Sequence, residues 1–140
     1  MGGRQAYVST ILRYVAMRVV LCNGCFDRFH DGHLQHLREA KAMGDVLVVS
    51  LTVDGAVNKG PGMPVNTWER RADLLRELRC VDHVMQSESA VKSIRLLKPT
   101  YFVKGIDYAD GTAWTEDVKA VCDEVGTIIR FTTSRKLVAP

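Results

Sequence analysis

Apolar residues along this chain fall into short runs separated by stretches of helical spacing. Arg18-Val19-Val20-Leu21-Cys22 is a short apolar run of strand type. From His33 to Met43 the residues Leu34, Leu37 and Ala40 share one helical face, and Gly44 stops the helix. Val46-Leu47-Val48-Val49-Ser50-Leu51 is β-branched and unbroken, as a strand covered on both faces should be. The loop AVNKGPGMPV follows, irregular by its Gly and Pro content. Asn66-Thr67-Trp68-Glu69 has the form of a capping box with Asn in first place, opening a helix that carries Leu74, Leu75 and Leu78. Val81 to Met85 is a third strand. Ser89 to Leu97 is a helix with Val91, Ile94 and Leu97 inward, ended before Pro99. Tyr101-Phe102-Val103 is a fourth strand. Thr115 caps a helix to Val125, closed by Gly126, and Thr127 to Phe131 is a fifth strand. Residues 1–17 stand apart as an extension, with an amphipathic helix through Tyr7, Ile11, Leu12 and Val15.

Strands alternating with helices of this length predict an α/β fold: a doubly wound, five-stranded parallel sheet of Rossmann-like form, order 3-2-1-4-5, with right-handed crossovers. In such a sheet the ligand crevice lies at the carboxyl ends of the strands where the winding reverses. Strands one and four meet there. The segments that follow them, GCFDRFHDGH and KGIDYADG, are the most polar and glycine-marked after any strand.

The length, 140 residues, fits one domain over 18–140 after the extension. A formal net charge of +3 is too small to predict nucleic-acid binding, yet it suits an anionic small substrate. No apolar run approaches the roughly eighteen residues of a membrane span. MGGRQAYVSTILRYVAMR interrupts its apolar residues with arginines and lacks the continuous core of a signal peptide. Four cysteines in a chain of this size do not make a disulfide scaffold, so a reducing cytoplasm is expected.

CNGCFDRFHDGH, residues 22–33, offers two cysteines and two histidines within twelve residues. Zinc requires four convergent ligands, but finger sites separate their Cys and His pairs by about twelve residues. Here only Phe26 to Phe29 intervene, and Cys22 ends a strand. A redox C-x-x-C belongs at a helix N-terminus, where the dipole lowers a thiol pKa; here the histidines occupy that place. The helix beginning near Asp31-Gly32-His33 presents unpaired N–H groups and a positive dipole end, which favour an anion. Gly32 allows close backbone approach, His30 and His33 add donors for phosphate oxygens, and Gly24 and Asp27 shape the loop beneath. Neither G-x-x-x-x-G-K-[ST] nor G-x-G-x-x-G occurs.

Asn23-Gly24-Cys25-Phe26-Asp27 followed by His30-Asp31-Gly32-His33 resembles the G-x-F-D…H-x-G-H signature of the cytidylyltransferase-like nucleotidyltransferases. Gly44-Asp45 with Leu47-Val48-Val49, Lys59-Gly60-Pro61-Gly62-Met63-Pro64-Val65-Asn66 with Glu69-Arg70, Val81-Asp82, and Lys104-Gly105-Ile106-Asp107-Tyr108 are similar to further segments of that family. The Lys59 and Lys104 segments most resemble the adenylyltransferase domain of the bacterial ADP-heptose synthases, and next the glycerol-phosphate cytidylyltransferases. Met63 stands where these relatives tend to have arginine.

The resemblance implies attack by a substrate phosphate on the α-phosphorus of a nucleoside triphosphate, with pyrophosphate released. ATP with a heptose phosphate is the first expectation and CTP with glycerol phosphate the second. It implies His30, His33 and Lys59 as catalytic residues. Asn23, Gly24, Cys25, Phe26, Asp27, Gly32, Lys104, Gly105, Asp107, Thr132 and Thr133 would bind nucleotide. Asp27, Arg70 and Tyr108 would face the acceptor. Magnesium would bridge the phosphates with few protein ligands of its own. The partners implied are the triphosphate and the acceptor, and the expected assembly is a homodimer.

Other positions receive plainer assignments. His36 and His83 are read as solvated or sheet-end residues, Glu69 as the capping partner of Asn66, Arg71 as a sign that its helix is simply basic, and Trp114 as core. The family also carries an S-S-T or S-T-T signature opening a last helix after strand five. Counted from the strand it should fall near Leu137 to Ala139, where nothing matches; Thr132-Thr133-Ser134 with Arg135 is a displaced version, and the final helix is expected to be missing. From this comes an alternative of another class, nucleotide binding without turnover. A zinc or redox module is the third reading.

Overall fold

The computed structural model describes residues 17–105 and 116–133. Its strands are β1 (Val19–Gly24), β2 (Val46–Thr52), β3 (His83–Ser87), β4 (Tyr101–Gly105) and β5 (Ile128–Thr132). Its helices are α1 (Asp31–Lys41), α2 (Trp68–Arg76), α3 (Ala90–Leu97) and α4 (Glu116–Val125), with a 3₁₀ turn at Asp54–Ala56. All strand pairs are parallel and the order is β3-β2-β1-β4-β5, as expected from the alternation of elements. Residues 1–16 of the N-terminal extension, Asp107, Tyr108, Trp114, the Thr115 cap and the residues from Ser134 onward lie outside the described residues.

Period-two alternation in the central strands feeds two cores. Val20, Cys22, Leu47, Val49, Leu51 and Val103 pack with Leu37 and Ala40 of α1 and Ala72 and Leu75 of α2. Leu21, Val48 and Phe102 face the other way, onto Ile94 of α3 and Val118, Val121 and Cys122 of α4. Helices therefore cover both faces, which is why the strands of this sheet read as unbroken apolar runs.

Several element ends differ from expectation, each for a local reason. Helix α2 is capped by Thr67, whose side chain accepts from the Arg70 N–H, while Asn66 is engaged elsewhere, so Glu69 is not its capping partner. Leu74 is exposed, and the inward positions are Arg71, Ala72 and Leu75. Strand β3 starts at His83, two residues later than Val81: Val81 is buried but sits in a turn, its N–H donating to the Leu78 carbonyl. Helix α1 starts at Asp31, two residues before His33, because His30 supplies the cap.

Candidate active site

The carboxyl ends of β1, β2 and β4 surround a cleft of about 650 Å³. Its walls are the turn after β1 from Gly24 to Phe26, the α1 start with His30, Gly32 and His33, then His36, Thr52, residues 56–59, and Lys104 with Gly105. This is the point where the winding of the sheet reverses.

The turn after β1 folds around Phe26. Phe26 and Arg28 adopt left-handed φ values of 47° and 50°, conformations that non-glycine residues keep only where their surroundings enforce them. A Cβ on Gly24 would lie 2.9 Å from the Phe26 ring, so only glycine lets that ring fold back. The Phe26 and Phe29 ring centroids lie 5.4 and 5.2 Å from that of His33 and hold its imidazole.

His30 is the N-cap of α1. Its Nδ1 accepts from the Gly32 N–H at 3.1 Å, and the Nδ1 of His33 accepts in turn from the His30 N–H at 3.2 Å. A ring nitrogen that accepts carries no proton, so in each neutral imidazole the proton sits on Nε2. The rings stack 3.8 Å apart. One reciprocal pair of hydrogen bonds thus caps the helix and makes each Nε2 a donor at its positive end.

Asn23 lines the cleft, but its amide nitrogen works inward, donating to the hydroxyls of Ser50 at 2.7 Å and Ser87 at 2.8 Å. It ties the ends of β1, β2 and β3. Asp27 does not line the cleft. Its carboxylate accepts from the Val65 N–H and from both nitrogens of Asn66 at 2.6 to 3.1 Å. Desolvation raises its pKa, but these bonds and one from the Arg28 N–H outweigh it and hold the carboxyl below its ordinary value. Asp27 therefore anchors the far end of the loop that carries Lys59. Lys59 itself is exposed on the cleft wall.

On the opposite wall, burial pushes the Lys104 ammonium below the ordinary lysine value, with Cys22 a smaller opposing influence. Burial, and next Lys104, lower the His36 pKa. His36 is not the solvated or sheet-end residue the sequence suggests: it lines the cleft one turn beyond His33, and its Nδ1 shares a 2.7 Å hydrogen bond with the Thr132 hydroxyl. The helical i, i+3 spacing of His30, His33 and His36 was the available signal. His83 is exposed at the start of β3.

Thr132 and Thr133 do not present hydroxyls to the cleft. Thr132 is fully buried against His36, and Thr133 donates through N and Oγ1 to Glu39 at 2.6 and 2.8 Å. Together they staple β5 to α1. Arg70 is exposed and away from the cleft, whereas its neighbour Arg71 is 3% exposed and reaches beneath the site. The Arg71 guanidinium donates to the carbonyls of Asn66, Cys25 and Thr52 and pairs with Asp54 at 2.6 Å.

Cys22 is fully buried, and desolvation pushes its thiol up to about 12, which leaves it protonated and inert. Among the described residues no three His, Cys, Asp or Glu side chains surround a common metal position. No carboxylate lines the cleft among the described residues either.

These features can be set beside known proteins. The family model described as "Cytidylyltransferase-like" matches residues 21–137. The chain belongs to the cytidylyltransferase-like family. The H-x-G-H by which the sequence resembles this family is the histidine cap just described. The bifunctional protein HldE of Helicobacter acinonychis (strain Sheeba) is 42% identical over 104 residues, 71% of this chain and 22% of that protein. HldE of Sulfurimonas denitrificans is 43% identical over 112 residues, 74% of this chain and 24% of its own. This chain thus spans less than a quarter of the length of those relatives. The crystal structure of the lipopolysaccharide core biosynthesis protein from Thermoplasma volcanium GSS1 superposes with TM-score 0.73 at 25% identity, covering 86% of this chain and all of that one. The pantoate-beta-alanine ligase of Francisella tularensis, at 16% identity and TM-score 0.61 over 86% of this chain and 60% of its own, shares the fold.

Proposed function

We propose that this nucleotidyltransferase moves the adenylyl group of ATP onto the phosphate of a heptose phosphate. An acceptor phosphate oxygen forms a bond to the α-phosphorus as the bond to the β-phosphate oxygen breaks, and pyrophosphate leaves. The observation that carries this reading is the His30–His33 cap, with its Nε2 protons at a helix N-terminus in a cleft. Such fixed donors stabilise charge that grows on the α-phosphate oxygens and on the leaving group, without reorganising during the reaction. Lys59 on one wall and Lys104 on the other bring positive charge to the phosphates and the acceptor. The sugar acceptor is supported by the likeness of the Lys59 and Lys104 segments to ADP-heptose synthases, by the HldE relatives, and by the neighbour described as a lipopolysaccharide core biosynthesis protein. Magnesium would arrive on the triphosphate, held by its oxygens. A cytoplasmic setting is supported by the thiols, since all four cysteines are unpaired. A homodimer is the assembly proposed, supported by the exposed Ile128 on edge strand β5.

One observation favours the second reading, binding without turnover: Thr132 and Thr133 spend their hydroxyls on His36 and Glu39. Pyrophosphate release, measured across ATP and CTP against heptose phosphate and glycerol phosphate, decides. Release with ATP and heptose phosphate is expected. Release only with CTP and glycerol phosphate would replace the substrates; triphosphate binding with no release for any acceptor would leave the second reading standing.

A further inference from the structure

A buried, fully engaged arginine beneath a cleft has a job that its own atoms cannot perform there. Arg71 is 3% exposed and does not line the cleft, so it touches no substrate. Each of its bonds ends on a segment that does line the cleft or leads into one. Nη1 donates to the Cys25 carbonyl at 2.8 Å, in the turn that leads to His30, and to the Thr52 carbonyl at 2.9 Å, at the end of β2. Nη2 pairs with Asp54 at 2.6 Å, in the 3₁₀ turn where the Lys59 loop departs. Nε donates to the Asn66 carbonyl at 3.0 Å, where that loop returns.

Asp27 completes the arrangement from the other side. It stands in the histidine turn and grips Val65 and Asn66 at the returning end of the lysine loop. Between its two ends that loop contains Gly60, Pro61 and Gly62, with both glycines at positive φ and a single turn closed by the Met63 N–H on the Gly60 carbonyl at 3.3 Å. A rigid, planar guanidinium with donors in fixed directions can hold three carbonyls and a carboxylate at once; an ammonium cannot.

We infer that Arg71 is a positioning residue that holds the histidine turn and both ends of the Lys59 loop in one register, so that Lys59 acts together with His30 and His33 rather than independently. The inference rests on the phosphate role of Lys59 proposed above. Misplacing such a loop by about 1 Å is worth on the order of a hundredfold in rate.

The test is a double-mutant cycle on kcat and KM of Lys59→Ala and Arg71→Lys, with amide hydrogen exchange on the same proteins. Arg71→Lys is expected to lower kcat by on the order of thirtyfold or more with a smaller change in KM, and the factor lost on Lys59→Ala is expected to shrink at least about fivefold in the Arg71→Lys background. Equal factors in both backgrounds would overturn the coupling. In exchange, the Val65 and Asn66 amides are expected to open at least about tenfold faster in Arg71→Lys, while Leu47 to Leu51 stay protected. Unchanged Val65 and Asn66 exchange would overturn the brace itself. If Lys59→Ala alone leaves kcat intact, the phosphate role of Lys59 has failed, and the exchange result judges the brace separately. Should Arg71→Lys not fold, Asp54→Asn, changed only at the half-exposed acceptor, takes its place in both measurements.

Discussion

The imidazole of His30 does two things through two nitrogens, and substitution can separate them. Nδ1 caps α1, and Nε2 carries the donor proton of the neutral ring in a residue that lines the cleft. His30→Ala removes both, and should cost about 1 kcal/mol of stability together with on the order of a hundredfold in turnover. His30→Asn restores a cap, since asparagine is among the best N-cap residues, and should recover the stability while leaving the turnover lost. Urea unfolding beside pyrophosphate release reads the two separately; recovery of turnover in the asparagine variant would show that only the cap mattered. The same residue scale marks where sequence alone misleads. Arg70 and Arg71 are adjacent and chemically identical, and nothing in composition or charge separates them. What does is helical phase: Arg71 lies one position before the buried Ala72 and four before the buried Leu75. Its i, i+4 partner in the core is the signal that contradicts reading Arg71 as one more charge on a basic helix. His36 reads as a solvated residue for a similar reason, although it stands one helical turn beyond His33 on the cleft wall.

At the scale of elements, the alternation of apolar runs and helical faces carried the parallel, doubly covered sheet, because strands buried on both faces have a pattern that little else produces, and the expected order matches the one found. Element ends were less legible. Apolar patterns report burial, while an end is set by which side chain caps and which backbone group pairs. Thus Val81 reads as strand because it is buried, and Thr67 is missed as a cap because Asn66 beside it is an equally good capping residue. Where α1 hands over to β2 the fit is close: a Cβ on Gly44 would lie 2.7 Å from both the Arg18 carbonyl oxygen and Val20 Cγ2. Gly44→Ala should therefore destabilise the protein by about 1–3 kcal/mol, with kinetics unchanged in the folded fraction, as chemical denaturation would measure. Asp82 joins the same region, accepting from Lys41 of α1 and from the Leu47 N–H of β2, both at 2.7 Å. Desolvation raises its pKa, but these bonds prevail and hold it below the ordinary 3.8. A lowered native pKa contributes stability that is complete above the ordinary value and is lost as pH falls through the native one. The unfolding midpoint should therefore drop on acidification below about pH 4, and Asp82→Asn should flatten that part of the profile. An unaltered slope in the variant would assign the acid sensitivity elsewhere.

For the molecule as a whole, the cleft is where residues far apart in the chain converge. The turn after β1 and the end of β4 are glycine-marked and polar, so the sequence already pointed to the reversal of the winding. What could not be foreseen is how the β5 end is spent. Thr132 and Thr133 look like nucleotide ligands by residue type, but in space α1 reaches them first through His36 and Glu39. A hydroxyl committed to a helix is unavailable to a phosphate unless that helix lets go.

The pairing of β1 with β4 joins residues 81 positions apart and is the seam between β1–β3 and β4–β5. His30 lies on one side of that seam and Lys104 on the other, and the cleft spans it. An occupant lodged there works as mortar between two blocks. Its affinity therefore adds to the cohesion of the assembled molecule: a triphosphate bound across the seam at a hundred times its Kd should add about 2.7 kcal/mol and raise Tm. If the chain were severed at the exposed left-handed turn at Lys98, the two pieces should find each other more readily with triphosphate present than without it.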